Sequence, residues 1–400
     1  MLYNFNFYSS LLLITFSQGL IYSILILKKA IQTNRKANYW LSLFVLICTL
    51  YVAPWMLGFA GWYDNQPYRD FMFYMPFQHL FFVGPLMFFY IQSLLNPSFK
   101  INRKQLLHLV PGVVYLIYNL WIFIYDKIIL QDYYYYADGS DKDFDEWYQI
   151  SGQISMAVYF VLSLIYYNRY RKWIVQVSSN ADAVLFKWIK TYLIAFLCMI
   201  LLPLFFDFIK VYLPSTNEYE SNWWFYLVYS IILYYIAITG YTNAIETKIG
   251  FEMSLFDRKP ILLLTDNISS ENNIIDIDFQ YIETDIFPEI IAWKTKIETL
   301  IKSQKLYQNP ELSLAEIAKK LESNSSIISK AINQGFGMNF NDFINNYRIE
   351  AVKEQFVIGA HQKSTLIGIA YDCGFNSKAT FNRAFKKNTG FTPKEYLTQL

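Results

Sequence analysis

Histidine and cysteine are scarce in this chain, three of each in 400 residues. Cys48, Cys198 and Cys373 show no CxxC spacing, and the first two lie in apolar runs, so a disulfide framework is excluded and all three read as small packing residues. His79, His108 and His361 lack ligand spacing, so no structural zinc site is expected and no cofactor is called for. Charge is also sparse, at 16% of residues. The sequence holds no P-loop, GxSxG or HExxH motif, no paired intramembrane aspartates and no kinase or receiver pattern, so no enzyme is expected. A transporter would more often show repeated halves with broken, charge-bearing helices, and that pattern is missing too. The N-terminus has neither a basic region nor a small-residue cleavage signature, so its first apolar segment reads as a retained membrane helix.

What the chain has in quantity is hydrophobic surface, 54% of residues, with 20% aromatic. The charges thin out before about Thr242 and become frequent after it, which separates a membrane part from a soluble part. Seven segments are long and apolar enough to span a bilayer: Phe5–Leu27, Tyr39–Phe59, Met75–Leu95, Leu106–Tyr125, Ile150–Tyr167, Trp188–Leu213 and Trp223–Tyr241. Trp40, Trp62, Trp223 and Trp224 fall near their ends, where amphipathic rings favour the headgroup level. The loops alternate in sign. One side carries Lys28, Lys29, Arg35, Lys36, Lys100, Arg103, Lys104, Arg169, Arg171, Lys172, Lys187 and Lys190. The other carries Asp64, Asp70, the stretch "DYYYYADGSDKDFDEWY", Glu218 and Glu220. Basic loops stay in the cytoplasm, so the N-terminus is expected outside and the tail inside.

Polar groups in lipid are costly and often functional. Gln78, His79, His108, Asn119 and Asp207 are the candidates for a ligand pocket opening outward, with Gln18 and Lys210 alongside. The alternative is interhelical hydrogen bonding and snorkelling at the interface. Asp207 and Lys210, three apart, are placed to pair with each other. Pro54, Pro76, Pro85, Pro111 and Pro203 mark positions where helices can kink and leave room.

Residues 243–292 hold ten acidic and three basic side chains. "PILLLTD" within them has the composition of a short strand. The segment reads either as a signalling or dimerising connector or as a plain tether.

From Trp293 the pattern turns helical and repeats itself. Leu314, Ile317, Ala318 and Leu321 stand at i, i+3, i+4 and i+7, and Leu366, Ile369, Ala370 and Cys373 repeat that spacing 52 residues later. Ser313 and Glu316 have the spacing of a capping box. After each tight turn a second helix follows, with Ile328, Ala331 and Ile332 matching Phe381, Ala384 and Phe385 as buried positions. The polar positions match as well: Ser326 with Ala379, Ser329 with Asn382, Lys330 with Arg383. "GMNFNDFI" and "GFTPKEYL" close the two copies; Gly390 suits a left-handed helix end, and Thr392 caps a helix that starts at Pro393. Two copies of helix, turn and helix make the layout in which the second helix enters the major groove of DNA.

Over roughly Ile297 to Leu397 the tail resembles the AraC/XylS family of bacterial transcription regulators. The resemblance is most specific in "IGIAYDCGFNSKATFNRAFKKNTGFTPKEYL", and "LSLAEIAKKL" and "YRIEAVKEQF" resemble the family's first motif and the helix joining its two halves. The whole chain resembles the membrane-bound members with a multi-helix N-terminal region. The resemblance implies recognition helices at about Ser325–Gln334 and Ser377–Lys387. Its base-facing positions fall on Ser326, Ser329 and Lys330, then Lys378, Ala379, Asn382 and Arg383. The first helix, "SSIISKAIN", departs from the family in having few long polar side chains.

Chemistry points the same way. Arginine pairs with guanine O6 and N7 and asparagine with adenine N6 and N7, which makes Arg383 and Asn382 the leading candidates for reading sequence. Ser325, Ser377, Lys386, Lys387 and Lys394 are the candidates for touching phosphate. From Trp293 onward fifteen Lys and Arg face nine Asp and Glu, a net of +6. The expected architecture is all-α: a seven-helix membrane domain over residues 1–242 that senses a signal, a cytoplasmic linker over 243–292, and a tandem helix-turn-helix domain over 293–400. The expected partners are double-stranded promoter DNA, the lipid bilayer, RNA polymerase and an unidentified signal ligand, with homodimerisation open. Two rival readings remain at this stage: a membrane receptor or transporter whose tail binds a protein, and a regulator whose tail is released by proteolysis.

Overall fold

The computed structural model describes residues 4–96, 99–179, 185–212, 218–242, 250–252, 261–263, 275–276 and 290–400. The side chains of Lys187, Glu218 and Glu220, and most of the 243–292 linker, lie outside the described residues. Among the described residues the regular structure is helical apart from three strands of two or three residues. The elements are α1 (Phe7–Thr33), α2 (Lys36–Leu50), α3 (Ala53–Phe59), α4 (Tyr68–Tyr74), α5 (Leu80–Leu95), α6 (Arg103–Leu106), α7 (Val110–Phe123), α8 (Glu146–Val177), α9 (Leu185–Tyr212) and α10 (Glu218–Thr242). Then come β1 (Gly250–Glu252), β2 (Ile261–Leu263) and β3 (Ile275–Asp276), followed by α11 (Ile290–Ser303), α12 (Leu314–Lys320), α13 (Ser325–Phe336), α14 (Phe340–Val357), α15 (Leu366–Asp372), α16 (Lys378–Thr389) and α17 (Pro393–Leu397). The strand expected in "PILLLTD" is β2, paired antiparallel with β1 and β3.

The chain folds as two compact units. One comprises Met1–Ile165 with Trp188–Thr247, the other Tyr166–Lys187 with Lys248–Leu400.

Among the described residues, six helical runs have the length and apolarity to cross a membrane: Phe7–Thr33, Lys36–Phe59, Arg103–Leu130, Trp188–Tyr212 and Asn222–Thr242 in the first unit, and Glu146–Val177, whose last twelve residues belong to the second. The expected seventh, Met75–Leu95, is shorter than its composition indicated. Residues 75–79, which include Pro76, are not helical, and the helix proper is the 16-residue α5. At 1.5 Å per residue it measures about 24 Å, below the roughly 30 Å of a bilayer core. α5 is also the most enclosed of these helices, with nearly every residue from Val83 to Leu95 buried. It packs against α2, and α2 and α10 pack against α1.

Small residues set these approaches, as expected where lipid supplies no hydrophobic drive between helices. A Cβ on Gly19 would stand 2.3 Å from Thr49 Oγ1. Nearby, Ser23 and Ser42 each donate to the other's carbonyl, at 3.0 and 2.8 Å. Ile14, Ile21 and Ile24 of α1 point outward, an apolar surface compatible with lipid.

The break at residues 75–79 frees backbone donors that cannot be left bare in an apolar setting. Asp143 answers them: its Oδ2 accepts from the Phe77 and Gln78 N–H groups at 2.8 and 2.9 Å, and its Oδ1 accepts from Tyr115 Oη at 2.8 Å. Tyr148 Oη takes the Leu80 N–H at 3.1 Å. Asp141, two residues before Asp143, accepts from Tyr63 Oη at 2.5 Å and from the Asp143 N–H at 3.0 Å. Burial and the neighbouring carboxylates push both acids up, Asp141 to about 7 and Asp143 to about 6.

The five polar candidates for a membrane pocket lead to separate partners. Gln78 is fully buried and its Nε2 donates to Tyr226 Oη at 3.3 Å. His79 lies half-buried at the start of α5, its Nδ1 enclosed without a hydrogen-bond partner. His108 Nδ1 meets Tyr159 Oη at 2.8 Å. Asn119 donates to the Tyr115 carbonyl of its own helix at 3.0 Å. Asp207 is exposed and pairs with Lys210 at 3.9 Å, as its spacing indicated. The three cysteines are free; Cys48 and Cys373 are buried, as packing residues would be, whereas Cys198 is exposed.

Candidate nucleic-acid interface

The second unit carries the repeat. In the first copy Ser313 Oγ accepts from the Glu316 N–H at 3.3 Å and starts α12, whose Leu314, Ile317 and Ala318 are buried. The Glu316 carboxylate turns to Asn309 Nδ2 at 3.4 Å. Asn324 caps α13 through the Ile327 N–H at 2.8 Å, and Ile328, Ala331 and Ile332 face inward. In the second copy Thr365 caps α15 and Ser377 caps α16, accepting from the Gly368 and Thr380 N–H groups at 3.0 and 3.1 Å. Phe381 and Phe385 join Ile369, Ala370, Cys373 and Phe375 in one core with Ile349, Val352 and Phe356 of α14, and Ala384 packs on its edge. Gly390 is left-handed at φ 82° and its N–H returns to the Lys386 carbonyl. Thr392 caps α17 in a full capping box with Glu395, with Pro393 in the first turn.

The turn of the second copy depends on Gly374. Its φ is 97°, and a Cβ there would stand 2.2 Å from the Tyr307 carbonyl oxygen and 2.8 Å from Gln308 Cα. Only glycine meets both conditions.

These elements bring six of the sequence-predicted residues together. Lys378, Ala379, Asn382 and Arg383 of α16, with Lys386 one turn on and Lys394 of α17, line a single groove of about 700 Å³ between α15, α16 and α17. Lys378, Ala379, Asn382, Arg383, Lys386 and Lys394 are exposed. Partial burial lowers the Arg383 guanidinium from its ordinary value. Arg383 thus presents a donor fork and Asn382 a paired donor and acceptor on a solvent-facing helix surface, with cations at its margins. That is the chemistry of base reading flanked by phosphate contact.

The remaining residues lie elsewhere. Lys387 is turned to Asp342 of α14, 2.7 Å away. Ser377 is occupied at its cap, its Oγ also 2.9 Å from Thr380 Oγ1. On α13 Lys330 is exposed and Ser326 half-buried, but Ser325 and Ser329 are 1% and 4% exposed, and Ser329 Oγ receives Asn333 Nδ2 at 3.3 Å. The two copies match in sequence phase, yet the matched pair Ser329 and Asn382 differ in accessibility. Periodicity assigns a face; it does not assign what covers that face.

Sequence reasoning missed Arg348. It is 1% exposed on α14 and its burial lowers the guanidinium to about 10. Nε donates to the Tyr307 carbonyl at 2.8 Å, Nη2 to the Asn309 carbonyl at 2.8 Å, and Nη1 to Asn345 Oδ1 at 3.1 Å. Its signal is in the spacing: Ile344, Arg348, Val352 and Phe356 recur every four residues, so a charge falls on the buried stripe.

The fold of this part is therefore a tandem helix-turn-helix on a shared bridging helix. A sequence profile described as "Helix-turn-helix domain" matches residues 317–399, and this C-terminal domain is an AraC-type helix-turn-helix domain. Over 101 residues the chain is 33% identical to an uncharacterized HTH-type transcriptional regulator of Staphylococcus aureus (strain COL), covering 25% of this chain and 13% of that protein. Over 89 residues it is 30% identical to the uncharacterized HTH-type transcriptional regulator YtdP of Bacillus subtilis (strain 168), covering 22% and 11%. The chain thus spans only about an eighth of the length of the curated relatives it matches. A solved Listeria innocua protein of unknown function is 27% identical, with 26% of this chain and 94% of that chain covered at a TM-score of 0.24.

Proposed function

We propose that the chain is a membrane-embedded one-component transcriptional regulator. Its N-terminal helices sit in the bacterial cytoplasmic membrane with the N-terminus outside, and its helix-turn-helix domain lies in the cytoplasm on double-stranded promoter DNA. A signal taken up by the membrane helices alters the DNA-binding unit, which acts on RNA polymerase at its promoters, as a monomer or a homodimer. The observation that carries this reading is the groove that gathers Lys378, Asn382, Arg383, Lys386 and Lys394 on a chain that also has six membrane-length apolar helices among its described residues. The alternation of loop charge supports the orientation.

In this reading Asn382 and Arg383 read bases, Lys378 and Ala379 border them, and Lys386 and Lys394 hold phosphate. Ser326 and Lys330 make the smaller contribution of the first helix. The test is a promoter-reporter assay with the full chain, in which Arg383→Ala is checked by membrane fractionation for normal insertion. Loss of promoter control supports the reading; full control by a normally inserted variant removes Arg383 from the interface.

A further inference from the structure

The segment Tyr166–Lys187 follows the apolar part of α8 in the chain, yet it belongs to the same compact unit as the helix-turn-helix domain. Along it Tyr166, Tyr170, Trp173, Ile174 and Val177 are buried, while Arg169, Arg171 and Lys172 are exposed. The last described turn of this segment is Ser178–Ser179, and both serines are buried, at 7% and 0% exposed. Buried serines with an open backbone need partners; the Ser178 N–H donates to the Ile174 carbonyl of α8 at 3.0 Å, and the tandem domain supplies further ones.

Ser178 forms a single antiparallel bridge with Ser313, the residue that caps α12. The Ser179 N–H donates to the Leu312 carbonyl at 3.1 Å. Asn341 of α14 donates to the Ser178 carbonyl at 3.3 Å. Arg348 donates twice, Nη1 to the Ser179 carbonyl at 3.1 Å and Nη2 to Ser179 Oγ at 3.0 Å. The same guanidinium holds Tyr307 and Asn309 in the lead to the first helix-turn-helix. One buried cation therefore ties three things at once: the segment after α8, the approach to the first reader, and the helix that joins the two readers. On the first recognition helix, which packs against α11, α12 and α14, Ser325 and Ser329 are buried, whereas the matched face of the second is open.

We propose that Ser178–Ser179 is an autoinhibitory clasp, received by Arg348, that holds the first helix-turn-helix away from DNA until movement of α8 withdraws it. Removing the clasp takes acceptors from two N–H groups of a buried guanidinium, a loss large enough to rearrange the surrounding backbone. Binding linkage then fixes the sign: if docking of the clasp opposes DNA binding, DNA binding opposes docking by the same factor.

This inference rests on the DNA-binding reading above, and its test separates the two. The full-length protein in lipid nanodiscs is used, with a duplex recovered by selection from a random-sequence library. Hydrogen exchange is followed in peptides covering residues 174–179, with and without the duplex. Exchange at the Ser179 amide is expected to speed up on DNA binding; slower or unchanged exchange overturns the clasp. Independently, Ser179→Pro removes the N–H that reaches Leu312, and affinity for the duplex is expected to rise by about tenfold, within the usual range of such couplings. Weaker or equal affinity overturns the clasp, since a segment that merely braced the fold would weaken binding when broken. If neither the native chain nor Ser179→Pro shows saturable, salt-sensitive binding to any duplex, the proposed function falls, and the clasp with it. If both bind alike, the function stands and the clasp alone falls. The exchange measurement needs no variant, so misfolding of Ser179→Pro does not shield the idea.

Discussion

The Asp143 carboxylate stands in for a missing turn of helix at Gln78. By accepting from the Gln78 N–H at 2.9 Å, and with the same oxygen from Phe77, it satisfies the donors exposed by the break before α5. A residue of the acidic stretch between α7 and α8 thereby satisfies the backbone that leads into the buried α5.

Replacing this carboxylate exposes that dependence. Asp143→Ala orphans two buried backbone donors and the Tyr115 hydroxyl, at about 1–3 kcal/mol for each unsatisfied group. Thermal unfolding in detergent should show a Tm lower by many degrees, with Asp143→Asn, which keeps one acceptor oxygen, in between. An unchanged Tm for Asp143→Ala would remove Asp143 from this role.

The same acids predict a response to pH. Both are raised in the folded state above the ordinary carboxylate value near 4, so this folded region binds more protons than the unfolded chain between about pH 4 and pH 7. Stability there should rise as pH falls through that window and decline as pH rises through it. Of the nearby charges, Lys142 is committed to Asp138 at 3.0 Å, and Asp145 adds repulsion. Protease cleavage within residues 131–145, in right-side-out vesicles, should be slower at pH 5 than at pH 8, and Asp141→Asn should flatten the difference. Faster cleavage at pH 5 would contradict the assignment.

Gly374→Ala should disable the second reader. The substitution combines left-handed strain, about 1–3 kcal/mol, with a Cβ that meets the backbone of Tyr307 and Gln308, which cannot yield as a side chain tip would. Promoter binding by the full chain should fall at least tenfold, with membrane insertion retained. Binding within twofold of the native chain would show that this turn tolerates a side chain.

Lysines 386 and 387 are neighbours in sequence with different expected effects. Lys386 lines the groove, while Lys387 is engaged by Asp342 across the surface, a contact worth about 0–1 kcal/mol. Lys386→Ala should reduce the slope of log affinity against log salt by about one. Lys387→Ala should change it less, and equal slopes for the two variants would place Lys387 on phosphate as well.

Asn382→Ala should relax base discrimination by about 1–3 kcal/mol at one position of the site. Ser329→Ala, at the matched but buried position, should leave discrimination unchanged. Comparing the two variants on single-base substitutions of one duplex checks this. Equal loss would mean that α13 presents Ser329 to DNA when bound.

Much of this was legible in the residues themselves. The apolar spacing of Leu314, Ile317 and Ala318 and its repetition at Leu366, Ile369 and Ala370 located both helix-turn-helix units, because burial on one helix face imposes that spacing. Gly390, Thr392 and Pro393 marked a helix end and a start for equally local reasons. The break at residues 75–79 was legible only in part: Pro76 marked a place for a kink, but the compensation comes from Asp143, more than sixty residues away. Arg348 was missed for a similar reason: its acceptors are carbonyls at Tyr307, Asn309 and Ser179, and a backbone oxygen leaves no mark on a sequence. The burial of Ser325 and Ser329 likewise depends on what lies over α13, which no property of α13 encodes.

The unit that carries the readers is built from two stretches of chain that are not contiguous, Tyr166–Lys187 and Lys248–Leu400, with α9 and α10 threaded between them. A single peptide-bond cut after Thr242 therefore would not liberate this unit intact: the fragment would leave its Tyr166–Lys187 portion behind. A recombinant piece beginning at Trp293 has the same defect and would carry Arg348 with the Ser179 acceptors gone. Minimal DNA-binding fragments of this protein are thus best made by joining distant segments or by keeping the whole chain, and any activity found in the bare tail describes a molecule already altered at its bridging helix.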